Sequence, residues 1–238
     1  MATLLSLCAN VAKAVGAQTP TAIISSTDQT AQRMFQAIKQ ECNFLVRRFA
    51  WSALRREATI TTVASTASYA LESDFHRVVD DTAWDNNNHW QMGGSATAQE
   101  WQFFKRATAT RPVTRRRFRL MWNPSTKTRQ IFIDPTPSDV ATLYYDYVSN
   151  QYCQATGGGA LKAEWSVDTD VPLLDDDLIE LGVKYRYLRA RGLPHASEHQ
   201  EYRAALLRAI GSDKPARTVD FSGSETRAFQ LPDGNFQL

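Results

Sequence analysis

Cysteine is scarce in this chain, with three residues in 238, at Cys8, Cys42 and Cys153. None stands at a metal-ligand spacing from another, which excludes a zinc ribbon or finger. Two of them fall on apolar helix faces, where a free thiol behaves as a small hydrophobe, so the reading is a reducing compartment without disulfides. Long apolar runs are missing as well. The longest early one, from Leu4 to Val15, lacks a basic leader and is broken by Ser6, Asn10 and Lys13, which argues against both a signal peptide and a membrane span. Charge of one sign is not in excess either: 27 Lys and Arg stand against 25 Asp and Glu, a balance that names no nucleic-acid or membrane partner. No nucleophile elbow or dinucleotide fingerprint occurs, and Gly157, Gly158 and Gly159 lack the Lys and Ser/Thr of a phosphate-binding loop. The chain therefore offers no cofactor site, no metal site and no sign of an enzyme.

What is present begins with two helical patterns. The first runs from Thr3, a possible N-cap, to Val15, with Leu4, Leu7, Cys8, Val11 and Val15 on one stripe and Gly16 as its stop. The second starts at Ser26 or Thr27 and carries Ala31, Met34, Phe35, Ile38, Cys42, Leu45, Val46 and Phe49 at the 3.6-residue period of a half-buried helix. Two further helices are expected over 171–211. The first of these opens with Asp175, Asp176 and Asp177 at the positive end of the helix dipole. Its apolar face reads Leu178, Leu181, Tyr185 and Leu188, widened by Ile179 and Val183, and Gly192 with Pro194 ends it. The other runs from about His195 to Ile210, with Gly211 as its cap.

Between the helix pairs the period changes to two. Thr59–Val63 and Tyr69–Leu71 read as a hairpin, Asp74–Val79 as another extended piece, and 118–122, 130–134 and 142–148 as strands. Thr97 and Glu100 make a capping box for one short helix. The stretch 151–170 reads as a mobile loop by composition. The fold class is therefore α+β: a helical bundle from residues 1–54 and 171–211, with an antiparallel β-sandwich or barrel inserted over 55–170. Residues 212–238 form an extended tail whose isolated Phe221, Phe229, Leu231 and Phe236 cannot make a core of their own.

The strongest local charge feature lies at 105–129, where nine Lys and Arg residues occur without one acid. Arg115, Arg116, Arg117 and Arg119 fall on a strand, so Arg115, Arg117 and Arg119 share one face and Arg116 and Phe118 the other. The patch could meet an acidic subunit, lie solvated, or bind nucleic acid. His76, Asp80, Asp81, Asp85 and His89 cluster in sequence, but their spacing matches no metal pattern and the neighbouring asparagines read as turn chemistry. His195 and His199 share a helix face without a third ligand.

Several stretches together resemble the head-to-tail adaptor proteins of tailed bacteriophages, the tail-tubular-type proteins beneath the portal of short-tailed phages. They are Met1-Ala-Thr-Leu-Leu-Ser-Leu-Cys8, Phe49-Ala-Trp51-Ser-Ala-Leu54-Arg-Arg-Glu57, Tyr69-Ala-Leu71-Glu-Ser-Asp74-Phe75 and Asp80-Asp-Thr-Ala-Trp84-Asp85. Ala98-Gln-Glu-Trp101, Asp177-Leu-Ile-Glu-Leu-Gly182-Val-Lys-Tyr-Arg186 and Arg189-Ala-Arg-Gly192 continue the match. The resemblance implies a non-enzymatic virion protein of the tail and neck, assembled in the host cytoplasm as a ring of 12 copies on the portal. It implies portal, tail nozzle or tail fibre proteins as partners, with double-stranded DNA passing through the ring for genome retention and ejection. The tail residues Phe221, Phe229, Leu231 and Phe236 would then reach the portal or a neighbouring subunit, and Arg115 to Arg119 would touch a subunit or the DNA channel. The competing reading is a nucleic-acid-binding protein that uses the same basic stretch.

Overall fold

The structure, a computed structural model, describes residues 2–94, 96–106 and 115–214. Arg111 of the basic stretch at 105–129 and the tail residues Phe221, Phe229, Leu231 and Phe236 lie outside the described residues. Helices α1 (Leu4–Ala14) and α2 (Gln29–Arg48) come first, and a 3-10 turn leads into strand β1 (Arg55–Thr61). Strands β2 (Ser68–Ala70), β3 (Phe75–Val78), β4 (Trp84–Asp85) and β5 (Trp90–Gln91) precede helix α3 (Ala98–Arg106). Strands β6 (Arg117–Asn123), β7 (Thr128–Asp134) and β8 (Thr142–Ser149) follow. After the short β9 (Cys153–Gln154), β10 (Leu161–Lys162) and β11 (Val171–Pro172), helices α4 (Asp176–Ala190) and α5 (Ala196–Asp213) complete the described chain. The protein is α+β, with antiparallel pairing between its named strands.

Local chemistry sets the helix ends. The Thr3 hydroxyl accepts from the Ser6 amide at 3.2 Å and caps α1. For α2 the cap is Asp28, which accepts from the Ala31 amide at 3.0 Å, not Ser26 or Thr27. An aspartate there satisfies a free amide and also places negative charge at the positive helix end. The Thr97 and Glu100 box forms in both directions, with Glu100 accepting from Thr97 N at 2.8 Å and Thr97 from Glu100 N at 3.2 Å. Helix α5 runs through Gly211 to Asp213, whose carboxylate takes the Ser52 amide and hydroxyl at 2.9 and 2.5 Å. The helix therefore passes through the glycine, and its last residue is tied to the 3-10 turn.

Three open sheets result, and none closes into a barrel: β1-β8-β4-β5 with β3 also on β8, β2-β7-β6, and β10-β9-β11. The hairpin expected between Thr59–Val63 and Tyr69–Leu71 does not form. Strand β1 pairs with β8 from Arg55↔Val148 to Thr61↔Thr142, while β2 pairs with β7. The Ser and Ala stretch after β1 therefore carries the chain from one sheet to the other. The loop expected at 151–170 is instead tied into β9 and β10, with Cys153, Trp165 and Asp170 buried. Gly157 and Gly158 turn it at φ +80° and +79°, where a Cβ would be strained.

Two cores hold these elements. One joins α1, α2, α4 and α5 with Trp51, Leu54, Val148, Tyr152, Cys153 and Trp165. The other lies between the two larger sheets, with Ala58, Ile60, Leu143, Tyr145 and Tyr147 facing Phe118, Ile131 and Ile133. Of the expected α4 face, Leu178, Ile179 and Val183 are buried and Leu181 and Tyr185 pack half-buried against the first core, while Gly182 and Tyr187 are buried beside them. Gly182 faces Glu41 of α2, which is fully buried in the first core. Its carboxylate accepts from Arg186 Nε at 2.5 Å and from the Tyr202 hydroxyl at 2.5 Å. Gly182 makes room for it, since an added Cβ would fall on the carboxylate. Burial raises the Glu41 pKa, and Tyr202 and Arg186 oppose that shift.

The loop before β11 organises the start of the chain. Carbonyls of Asp170 and Asp168 accept from the Leu4 and Leu5 amides at 2.8 and 3.1 Å. The Asp168 carboxylate takes the amides of Ile23 and Ile24 at 3.0 and 2.9 Å, and Asp176 takes that of Ala2 at 2.8 Å. Asp170 itself receives Lys162 Nζ at 2.6 Å and the Ser166 and Val167 amides at 2.8 and 3.1 Å.

Candidate functional site

Strand β6 is the edge of its sheet, and the residues leading into it carry the arginines singled out from the sequence. Side chains alternate along a strand, and Phe118 is buried in the second core. Arg116 is also buried. Its guanidinium lies 3.0 Å from Asp85 and 2.8 Å from Asp139, so the charge is neutralised within the chain. Arg117 stacks over the Phe104 ring of α3 at 3.3 Å. Gly93 forms a parallel bridge to Arg117, and a Cβ on Gly93 would strike that side chain. Arg119 is half-buried on the strand and Arg115 is exposed. Beside them lies a pocket of about 480 Å³ whose lining includes Asp81, Gln91, Glu100, Phe104, Arg115 and Arg117. Charges of both signs line it, so it does not present an uncompensated basic surface.

The acids and histidines before α3 have structural work. Asp85 is buried and accepts from the Asn87 and Asn88 amides at 3.1 and 3.2 Å and from Asn88 Nδ2 at 2.8 Å. Asp81 and His89 occupy turns with φ 61° and 53°. Among the described residues no group of His, Cys, Asp and Glu is arranged to hold a metal. His195 and His199 pack on Tyr185, with ring centroids 5.7 and 4.7 Å away. Asp175 caps α4 by accepting from the Asp177 amide at 3.1 Å. Gly157 to Gly159 form a turn between short strands. These placements separate residues that are close in sequence and leave a mixed-charge surface.

What the geometry lacks in catalytic convergence, the length of the chain supplies in kinship: residues 2–228 match the family model described as SU10 adaptor protein. The chain belongs to the SU10 adaptor protein family. No curated protein matches it. The family is one of structural phage adaptors and not an enzyme class. In an SU10 adaptor the surfaces of interest are those that meet other proteins. The sequence pointed to the basic strand and overlooked Asp139, which neutralises Arg116 from the loop before β8. It placed Trp122 and Arg129 in the same basic stretch without the register that makes them cross-strand partners. One signal was present, since Trp122 falls two residues past Leu120 on the same strand face.

Proposed function

We propose that the protein is a head-to-tail adaptor of the virion neck, a ring between portal and tail that extends the DNA channel for genome retention and ejection. The observation that carries this reading is the family match along residues 2–228, in a chain whose charged clusters are used in structural pairs and not in a catalytic site. In the same reading the helices of 1–54 and 171–211 form a bundle that docks on the portal, and the sandwich of 55–170 projects from it. The tail at 212–238, with Phe221, Phe229, Leu231 and Phe236, contacts the portal or a neighbour. Ring copies number 12, and tail nozzle or fibre proteins bind below, following the resemblance in the sequence.

Mass measurement of the purified chain, alone and with isolated portal rings, tests the proposal. Ring-sized species, or stoichiometric binding to the portal, are expected. A chain that stays monomeric and unbound in both conditions refutes it. Charge reversal of Arg115, Arg117 and Arg119 tests the narrower claim that this strand meets acids of an adjoining subunit, with Arg116 serving the fold from within. Unchanged assembly with unchanged salt dependence removes that claim. Tight, salt-steep DNA binding by the isolated chain would favour the nucleic-acid reading instead.

A further inference from the structure

The inner face of the β6–β7 hairpin does not end where its core ends. Phe118 and Leu120 on β6, with Ile133 and Ile131 opposite on β7, belong to the second core. The next pair along the same face is Trp122 and Arg129, because directly opposed residues share a face. Arg129 is exposed, and Trp122 is 64% exposed. His76 and Arg77 stand on β3, and Arg47 in the last turn of α2. Burial first, then the charges of Arg77, Arg47 and Arg129, hold the His76 imidazole below its usual range, so these three arginines lie within electrostatic range of one residue. His76 Nδ1 and Arg77 Nε are buried without a hydrogen-bond partner. Among the described residues none of these arginines belongs to an ion pair. Phe44, 39% exposed, lies one helical turn before Arg47.

This is the uncompensated basic surface that the 115–119 strand does not provide. It combines arginine with exposed aromatic area, the composition of anchor residues in protein interfaces. A passing DNA duplex is held through its phosphates and has no use for a protruding indole. A chain of nearly balanced charge that gathers unpaired arginines in one place carries matching acids elsewhere. One such place is a groove of about 370 Å³ on α1, α4 and α5, where Val11, Ala14 and Leu181 are bordered by Asp177, Glu180 and Glu201. Lys184, also on its border, is drawn to Glu198 at 3.9 Å. Glu180 binds Asn10 of α1, whereas Gly182 lies against Glu41 of α2. Two residues along a helix turn about 200°, so the groove is on the side of α4 turned away from α2. The two patches are therefore different and differently directed, as a closed ring with heterologous contacts requires.

We propose that the rim of Trp122, Arg129, Arg47 and Arg77 docks onto the acidic groove of α1, α4 and α5 in a second copy of this chain. The proposal rests on the adaptor reading and names the subunit contact within it. It is tested by measuring assembly, alone and on isolated portal rings, for three charge variants of the full chain. These are Arg47→Glu with Arg129→Glu, Glu180→Lys with Glu201→Lys, and the four changes together. Each pair is expected to raise the concentration needed for assembly by about tenfold or more, and the fourfold variant to recover most of that loss. Trp122→Ala, which leaves charge unchanged, is expected to weaken assembly while its unfolding midpoint stays at the wild-type value. Wild-type rings that form equally well from the paired variants overturn the interface and leave the adaptor reading intact. Loss of duplex binding with assembly unaffected also overturns it, in favour of a nucleic-acid surface. A wild-type chain that never assembles, even on the portal, removes the adaptor reading and the interface together.

Discussion

Replacing Gly182 with alanine is expected to destabilise the protein, although alanine is the better helix former by about 1 kcal/mol. The added methyl would lie on the Glu41 carboxylate, and neither party can yield easily. Glu41 is the far end of a side chain, which elsewhere would swing aside. Here it is fully buried and held by both Arg186 and Tyr202. Moving it separates a buried ion pair, which costs about 3–5 kcal/mol, so the helix gain leaves a net loss of about 2–4 kcal/mol. With a denaturant slope of about 1–3 kcal/mol per molar urea, the midpoint falls by roughly 1 M or more. Gly211→Ala in α5 is the control: nothing lies within 4 Å of its added Cβ, and a gain of about 0.5–1 kcal/mol is expected. Urea titration followed by circular dichroism reads both. The reasoning fails if Gly182→Ala matches or exceeds the wild type. It also fails if the loss persists in a Glu41→Ala background, where no carboxylate remains to be displaced.

Arg116→Ala would leave Asp85 buried without its cation, and a loss of about 3–5 kcal/mol is expected in the same titration. Burial opposes ionisation of Asp170, but the Lys162 ammonium and the Ser166 and Val167 amides outweigh it and hold the carboxyl below the usual range. A depressed folded pKa gives stability that is present above the unfolded value and lost as pH falls through the folded one. Asp170→Asn is therefore expected to be clearly destabilised at neutral pH, and its deficit should narrow on acidification below about pH 4. A deficit independent of pH would contradict this. Burial, followed by the charges of nearby acids, pushes the Cys8 and Cys153 thiols up to about 12, and burial raises Cys42 as well. The native protein should resist a thiol reagent at pH 8 and take up label at all three sites only in denaturant.

Features governed by neighbours in sequence were legible. The α1 stripe, the aspartates opening α4 and the Thr97 box were readable because capping and the 3.6-residue period act within one or two turns. Strand pairing was not. The β-branched run Thr59–Val63 announces a strand, but nothing local says that its partner begins at Thr142 and not Tyr69. The face of α4 was legible at Leu178, Ile179 and Val183 but not at Gly182, which hydropathy ranks low and packing values for the space it leaves to Glu41. That glutamate had left a trace, being a charge between Ile38 and Cys42 on an otherwise apolar stripe. At the basic strand, alternation put Arg116 on one face with Phe118, and the structure buries both. The acids that receive it, Asp85 at the end of β4 and Asp139 in the loop before β8, are far apart in sequence, and no spacing rule connects them. That Trp122 continues the face of Phe118 and Leu120 follows from alternation, but its pairing with Arg129 required the hairpin register, which is a property of the folded molecule.

The capping of α1 by the loop around Asp168 and Asp170 has a consequence for synthesis. The first amides of that helix find their acceptors more than 160 residues later, and the Ala2 amide finds its acceptor on Asp176. A ribosome adding about 5–20 residues per second needs on the order of ten seconds or more to supply them. Throughout that interval the stripe of Leu4, Leu7, Cys8 and Val11 has neither its loop nor α4 to lie against. Helix α1 is thus made long before its loop and α4, and until they follow only α2 is available to cover its apolar stripe.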